Sequence, residues 1–420
     1  MNRRTFLKHS TAAGVTLAAP GFLKQSISAP LNDQITLGFI GVGGMGTHNL
    51  KGFLNNPEVR IPAVCDVDRN HGRAAQNLVN EKYKNQDCAL YIDFRDVIAR
   101  PDIDAVVIST PDHWHTLPTL EAARHGKDIY LEKPLTLTVS EGRIISDTVR
   151  KYSRVLQTGS MQRSMLLFRR ACELVRNGYI GEIQRVKVSL PGNNRTCPPT
   201  WQPQPAPESL DYEFWLGPAP YEPYTAQRCH YTFRFIRDYS GGQTTNWGAH
   251  YLDIAQWGLG MDHSGPVKII GRGEFPETGL FNTATYIDFD MIYENGVKLT
   301  CRTGGQGTKF IGSEGSVFVN RGRLVTEPDS LCSVQIGPDD EHLYVSNDHH
   351  QNFIDCIRSR RNPITDAEIG HRSATLCHLG NIAMLLKAEL HWDPVNERIL
   401  NHDAANRMLS KPYREPWGKI

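Results

Sequence analysis

A short apolar run from Ile35 to Ile40 leads into Gly41-Val42-Gly43-Gly44-Met45-Gly46, after which the spacing predicts a helix through Leu54. Two further apolar runs, Ile61 to Val64 and Ala105 to Thr110, are short enough to be strands buried on both faces. Next come Pro111-Asp112-His113-Trp114-His115, a helical period over Leu117 to His125 and a strand over Asp128 to Leu131. Strands alternating with helices at this spacing make βαβ units, so the first third of the chain is expected to form a parallel sheet.

Beyond Arg154 the alternation stops. A helix is predicted over Arg163 to Asn177 and a strand over Val186 to Leu190. The stretch from Pro191 to Pro223 holds nine prolines and reads as an extended, semi-rigid arm. Two roles are open to its aromatic residues Trp201, Tyr212, Phe214, Trp215 and Tyr221: stacking on sugar rings, or packing on another subunit. Period-two patterns run from Val267 to Thr326, with Asn295-Gly296 as a hairpin turn between Tyr286 to Tyr293 and Val297 to Arg302. A last helix, Arg372 to Leu386, is apolar at Leu376, Leu379, Ile382, Ala383 and Leu386. The expected fold class is therefore α/β: an N-terminal Rossmann fold with a parallel sheet, then a C-terminal α+β domain with an open, largely antiparallel sheet. The boundaries fall at 1–30 for a leader, 31–153 for the first domain and 154–420 for the second, with a cleft between the domains and a sheet face suited to forming a homo-oligomer, dimer or tetramer.

Size and charge narrow the function. A chain of 420 residues has room for two domains. Lys and Arg number 46 against 45 Asp and Glu, which leaves no excess charge for a nucleic acid or an anionic membrane. The nine cysteines, at 65, 88, 172, 197, 229, 301, 332, 356 and 377, are odd in number and include no C-x-x-C, so buried thiols are expected rather than bridges or a zinc site. At the N-terminus, Arg3 and Arg4 precede an uncharged stretch from His9 to Leu23 that is too short to span a bilayer. This layout is that of a twin-arginine signal, with Ser26, Ser28 and Ala29 as small residues for cleavage, and implies a periplasmic protein free of the membrane once the signal is removed. A disordered tail is the plainer alternative.

The glycine run has the G-x-G-x-x-G spacing in its required place between strand and helix. Gly41 permits the tight turn, Gly43 brings backbone N–H groups, with those of Gly44 and Met45, to a pyrophosphate at a helix N-terminus, and Gly46 lets helix and strand pack closely. Asp66, twenty residues after Gly46, ends the second strand, where a carboxylate accepts from the adenosine ribose hydroxyls. That carboxylate favours NAD over NADP, and the nearby Arg69 is the counter-signal. Ligands in such sheets lie at the carboxyl ends of strands, which places Thr110, Pro111, His113 and His115, and Glu132 and Lys133, beside the cofactor. The histidine pair lacks a Cys or carboxylate at ligand spacing, so no metal is expected.

At Glu132-Lys133-Pro134 the chain resembles the Gfo/Idh/MocA oxidoreductases, the glucose-fructose oxidoreductase and inositol dehydrogenase group. Ser109-Thr110-Pro111, Gly159 to Arg163 and Gly241 to Asp253 carry the resemblance further, over nearly all of the chain after the signal. It implies that Lys133 and His250 are catalytic and that Arg163, foremost, with Arg234, Asp238 and Tyr239, lies near the cleft. Asn246 departs from the pattern, which carries Asp there. Asn246 and His250, four apart, are expected on one face of a helix, with Trp247 beside them at the substrate. An amide at 246 orients a sugar but takes up no proton. Oxidising a carbinol needs a base for the hydroxyl proton, and a lysine serves when burial and a neighbouring positive charge lower its pKa. The plain alternatives are a lysine salt-bridged to Glu132 and a core histidine.

The resulting expectation is an exported NAD-dependent oxidoreductase acting on a secondary hydroxyl of a sugar or glycoside, with ring carbon 3 a candidate and the cofactor tightly bound. Two others stand beside it: a glycosidase using NAD transiently through oxidation, elimination and reduction, and a noncatalytic sugar or nucleotide binder.

Overall fold

The computed structural model describes residues 33–193 and 201–418, so the expected signal and Cys197 lie outside the described residues. The first sheet holds six parallel strands: β1 (Ile35–Ile40), β2 (Val59–Cys65), β3 (Ala89–Tyr91), β4 (Ala105–Ile108), β5 (Asp128–Leu131) and β6 (Leu156–Thr158), in the order β3-β2-β1-β4-β5-β6. Its central strands are apolar throughout because helices cover both faces; Leu37, Phe39, Val106 and Val107 have no exposed surface. Ile40 pairs with Cys65 on one side and Ile108 on the other. The strand order reverses between β1 and β4, which opens a crevice at their carboxyl ends.

The second sheet has nine strands: β7 (Ile183–Leu190), β8 (Lys268–Gly271), β9 (Asp288–Ile292), β10 (Lys298–Thr303), β11 (Gly307–Gly312), β12 (Ser316–Val319), β13 (Leu324–Glu327), β14 (Glu389–Asp393) and β15 (Arg398–Ile399). Their order is β13-β12-β11-β7-β10-β9-β8-β14-β15, and only β7 and β10 run parallel. Along β7, Val186, Val188 and Leu190 are buried while Arg185 and Lys187 are exposed, the alternation expected of a sheet covered on one face. The hairpin turn at Asn295-Gly296 is present, with Gly296 at φ 82 and the Tyr293 N–H donating to Val297 O at 3.0 Å.

Several elements differ from expectation. The helix predicted from Arg163 begins at Leu166, because Met165 is extended and Arg163 lies in a 3-10 turn ahead of it. The last helix runs from Ala367 to Leu386 and is buried on nearly every side, so its polar positions face protein rather than water. Asn246 and His250 do not share one helix: a short turn, Gln243–Asn246, ends at Trp247, and a second helix, Gly248–Leu259, carries the histidine.

The arm packs within its own chain. Trp201, Tyr212 and Trp215 join Phe233, Phe235 and Tyr239 in one apolar cluster, and Phe214 stacks on Trp417. Tyr221 alone of the five arm aromatics is exposed. The second half also returns to the first sheet, where Phe353 and Ile354 of helix His349–Ser359 pack with Phe53 and Tyr130. The eight described cysteines are free thiols, and of these only Cys332 is exposed.

Candidate active site

A cavity of about 730 Å³ opens at the carboxyl ends of β1, β2, β4 and β5. Gly41, Gly43, Gly44, Met45, Asp66, Thr110, Pro111, His115, Glu132 and Lys133 line it from the first sheet, and Arg234, Asn246, Trp247, His250 and Arg321 from the second half.

At one end the glycine turn forms a cradle. Gly41 has φ +79, and a Cβ there would lie 2.8 Å from the Thr110 nitrogen, so only glycine fits. Gly46 is not on the cavity wall; a Cβ on it would meet Gly41 O at 2.0 Å, so it lets helix Gly44–Leu54 sit against the turn. A Cβ at Gly44 would touch nothing within 4 Å, which leaves the helix N-terminus open. That terminus has no side-chain cap and no acidic residue in its first turn, so its N–H groups remain for an anion. Asp66 is fixed by the Val42 and Asp68 N–H groups, each at 2.8 Å. Burial raises the proton affinity of its carboxyl, and the two N–H groups oppose that. Open N–H groups beside a partly buried carboxylate on the cavity wall fit the pyrophosphate and ribose of NAD.

The arm and the segment after it close over this end. Backbone bonds from Arg69 N to Ser209 O (2.8 Å) and from Asp211 N to Val67 O (2.9 Å) tie the arm to the turn after β2. His230 Nε2 lies 3.4 Å from Asp68 Oδ2 and its ring meets His71 edge-on, at 4.7 Å between centroids. Asp68, His71 and His230 thus bring ligand-type atoms within 4.8 Å of one another beside Asp66, a grouping the sequence spacing could not show.

At the other end Lys133 Nζ donates to Asn246 O and Asn246 Oδ1, both at 3.1 Å. Asn246 is held in turn by Gln243, whose Oε1 accepts from Asn246 Nδ2 at 3.0 Å. Lys133 lines the cavity and is partly buried. Burial lowers its pKa; Glu132 opposes this, while Arg234 and Arg321 reinforce it. A neutral amine has two N–H bonds to donate and one lone pair. With both N–H bonds spent on Asn246, the lone pair is available to a hydroxyl proton. Glu132 forms no salt bridge with Lys133; its Oε1 accepts from Asn49 at 2.9 Å and its Oε2 from the Lys133 backbone N–H at 3.2 Å.

His250 is 7% exposed, and its Nδ1 has no partner. Burial, then Lys133 and Arg321, push its pKa well below the usual value, so the ring is neutral near pH 7. With its proton affinity lowered this far the ring is a weak base, and its open nitrogen serves to hold a substrate hydroxyl.

Arg163 does not reach the cavity. It is 1% exposed and forked between Asp253 and Asp262, with contacts of 2.7 Å to each, over the Trp257 ring. Buried carboxylates demand such a partner, so its resemblance-based place beside substrate is corrected to a structural one. His113 is also turned away: its Nε2 faces Trp215 O at 3.0 Å, its ring packs on Trp215 and Tyr239, and burial lowers its pKa to about 3. His115 does line the cavity, and its two ring nitrogens face Pro134 O and Thr110 O at 2.8 and 3.0 Å, joining the loops after β4 and β5. Tyr239 is buried in the arm cluster and Asp238 lines a second, smaller cavity, so of the added polar residues Arg234 alone lines the main one. Sequence reading missed Arg321, at the turn between β12 and β13, and gave no role to Asp112, which lines the cavity and accepts from Ser240 Oγ at 2.6 Å. An arginine in a hairpin turn carries no local signal, since only the packing of the sheet beside the helix brings it there.

Family models agree with this architecture. One described as "Oxidoreductase family, NAD-binding Rossmann fold" matches residues 35–160, and one described as "Oxidoreductase family, C-terminal alpha/beta domain" matches residues 190–419. A scyllo-inositol 2-dehydrogenase (NAD(+)) of Bacillus subtilis is 27% identical over 355 residues, 80% of this chain and 89% of the relative. A glycosyl hydrolase family 109 protein of Shewanella putrefaciens is 32% identical over 165 residues, 37% of this chain and only 34% of that protein. Among solved structures, a scyllo-inositol dehydrogenase from Lactobacillus casei with bound NAD(H) and scyllo-inositol shares the fold at TM-score 0.60 and 18% identity, covering 85% of this chain and 99% of that one.

Proposed function

The chain belongs to the Gfo/Idh/MocA oxidoreductase family, and from that premise we propose that it oxidises a secondary hydroxyl of a sugar or glycoside, with ring carbon 3 a candidate. NAD, bound across the glycine turn and Asp66, supplies the hydride acceptor. Lys133 takes the hydroxyl proton, Asn246 holds the amine in place, and His250 orients the same hydroxyl through its open Nδ1. The observation that carries this reading is the Lys133 amine, lowered in pKa and with both its donors spent on Asn246 at the cavity wall.

We propose further that the protein is exported by the twin-arginine route with its cofactor already in place. The arm bonded across the adenosine end supports retention, since no NAD pool exists to refill the site outside the cytoplasm. Among the described residues no helix is long and apolar enough to cross a membrane. The test is to denature the purified protein and identify the released nucleotide: near-stoichiometric NAD is expected, and its absence overturns retention. Absorbance at 340 nm on adding sugars reports hydride transfer, and Lys133→Met is expected to lower its rate by roughly 10²–10⁴-fold while nucleotide content is kept.

The partial likeness to glycosyl hydrolase family 109 proteins supports a second reading, a hydrolase that oxidises, eliminates, adds water and reduces again. Release of nitrophenol from a nitrophenyl glycoside without net NADH favours it; a keto-sugar with reduced cofactor favours the dehydrogenase.

A further inference from the structure

We propose that the substrate carries a carboxylate, gripped at the mouth of the cavity by Arg321 and flanked by Arg234. This rests on the oxidoreductase reading and names the class of sugar, a uronic acid or a glycoside of one.

Two arginines line the substrate end of the cavity, and among the described residues neither forms an ion pair with a carboxylate. Arg321 lies over the Trp247 ring, 4.9 Å from its centroid, next to Asn246 in the chain. With the Gln162 amide turned to suit its neighbours, Gln162 accepts from Arg321 Nε at 3.2 Å and donates to His250 O at 3.2 Å. One edge of the guanidinium is thus tied, through Gln162, to the helix bearing His250. Arg234 lies over the rings of Phe233 and Tyr231, at 4.6 and 4.8 Å, and donates from Nη1 to Tyr231 O. A guanidinium resting on an aromatic face keeps its in-plane N–H donors, and a pair of these matches the two oxygens of a carboxylate.

The acids at this end balance the arginines only in part: Asp112, which accepts from Ser240, and Glu132, engaged by Asn49 and its own chain, act against them at Lys133 but pair with neither. Both arginines stand close enough to Lys133 to depress its ammonium. A nicotinamide cation bound in the cleft adds to the same sign. An anionic substrate gives the two arginines the ion-pair partner they lack; a neutral polyol does not. Pyrophosphate does not serve instead, since its cradle lies at the glycine turn.

The test uses the holoprotein and matched pairs: glucuronate against glucose, galacturonate against galactose, and mannuronate against mannose, titrated by calorimetry at low and high salt. At least one acid is expected to bind about tenfold or more tightly than its neutral partner, with the advantage shrinking in salt. In Arg321→Gln the ratio is expected to fall to near one, and in Arg321→Lys, which keeps the charge but loses the fork, to recover in part. Arg321 sits at an exposed turn, so unchanged melting of the variants verifies folding. If no acid outbinds its neutral partner, or the ratio survives Arg321→Gln, the proposal fails. Reduction of bound NAD by a neutral sugar under the same conditions would leave the oxidoreductase reading standing while removing this one.

Discussion

An amide and a carboxylate at position 246 act differently on the same lysine. Asn246 accepts both Lys133 N–H bonds through neutral carbonyl oxygens, which favour the ammonium form less than a carboxylate would. Because the pKa of Lys133 is lowered, its base form takes over at a lower pH than for a free lysine, and the rate of oxidation rises with pH through that lowered value and then levels. Asn246→Asp is expected to raise the lysine pKa and to move this rising limb to higher pH by the same amount. A pH profile of kcat/KM on both proteins checks it; an unmoved limb assigns the titration to another group.

At the scale of elements, helix Val139–Lys151 is held to the long helix Ala367–Leu386 and the turn before β15 by one charged network. Arg143 meets Glu368 at 2.8 Å and Glu397 at 2.7 Å, and His371 Nε2 meets Glu397 Oε1 at 2.7 Å. Burial alone would raise the Glu397 carboxyl, but His371 and Arg143 outweigh it and hold its pKa at about 2. A carboxyl depressed on folding stabilises the native state above its unfolded pKa, and that contribution drains away as pH falls from about 4.5 to about 2. Glu397→Gln is therefore expected to cost on the order of 1–3 kcal/mol at pH 7, and to flatten the fall in melting temperature below pH 4.5. Thermal melts of both proteins across pH 2–7 read this directly (roughly the span of the linkage).

For the whole molecule, Arg163 matters through the second domain's core. It neutralises Asp253, which is fully buried on the helix that carries His250, and Asp262 beyond that helix's end. Arg163→Met leaves the Asp253 carboxylate with Ser373 as its remaining hydrogen-bond partner. The expected loss is about 3–5 kcal/mol in stability, seen by denaturant unfolding. A substrate-binding arginine would instead raise KM without lowering stability, so the two measurements separate the roles. The same scale explains the site's two ends: one sheet's strand ends hold the dinucleotide cradle, and the second half brings Asn246, His250 and the arginines across to face it.

Local pattern was enough for β1, the glycine turn, helix Gly44–Leu54, β5 and the Asn295-Gly296 hairpin, because each rests on neighbours a few residues away. The cradle and Asp66 were legible for the same reason: strand, turn and helix are contiguous, and the carboxylate ends the next strand. Tertiary packing alone decided that Arg163 is consumed by two carboxylates, that His113 faces Trp215, and that Arg321 reaches the cavity. Those partners lie 90 to 102 residues apart in sequence or act across the cleft, so no spacing encodes them; a side chain's role there depends on which charge the fold places within a few ångströms.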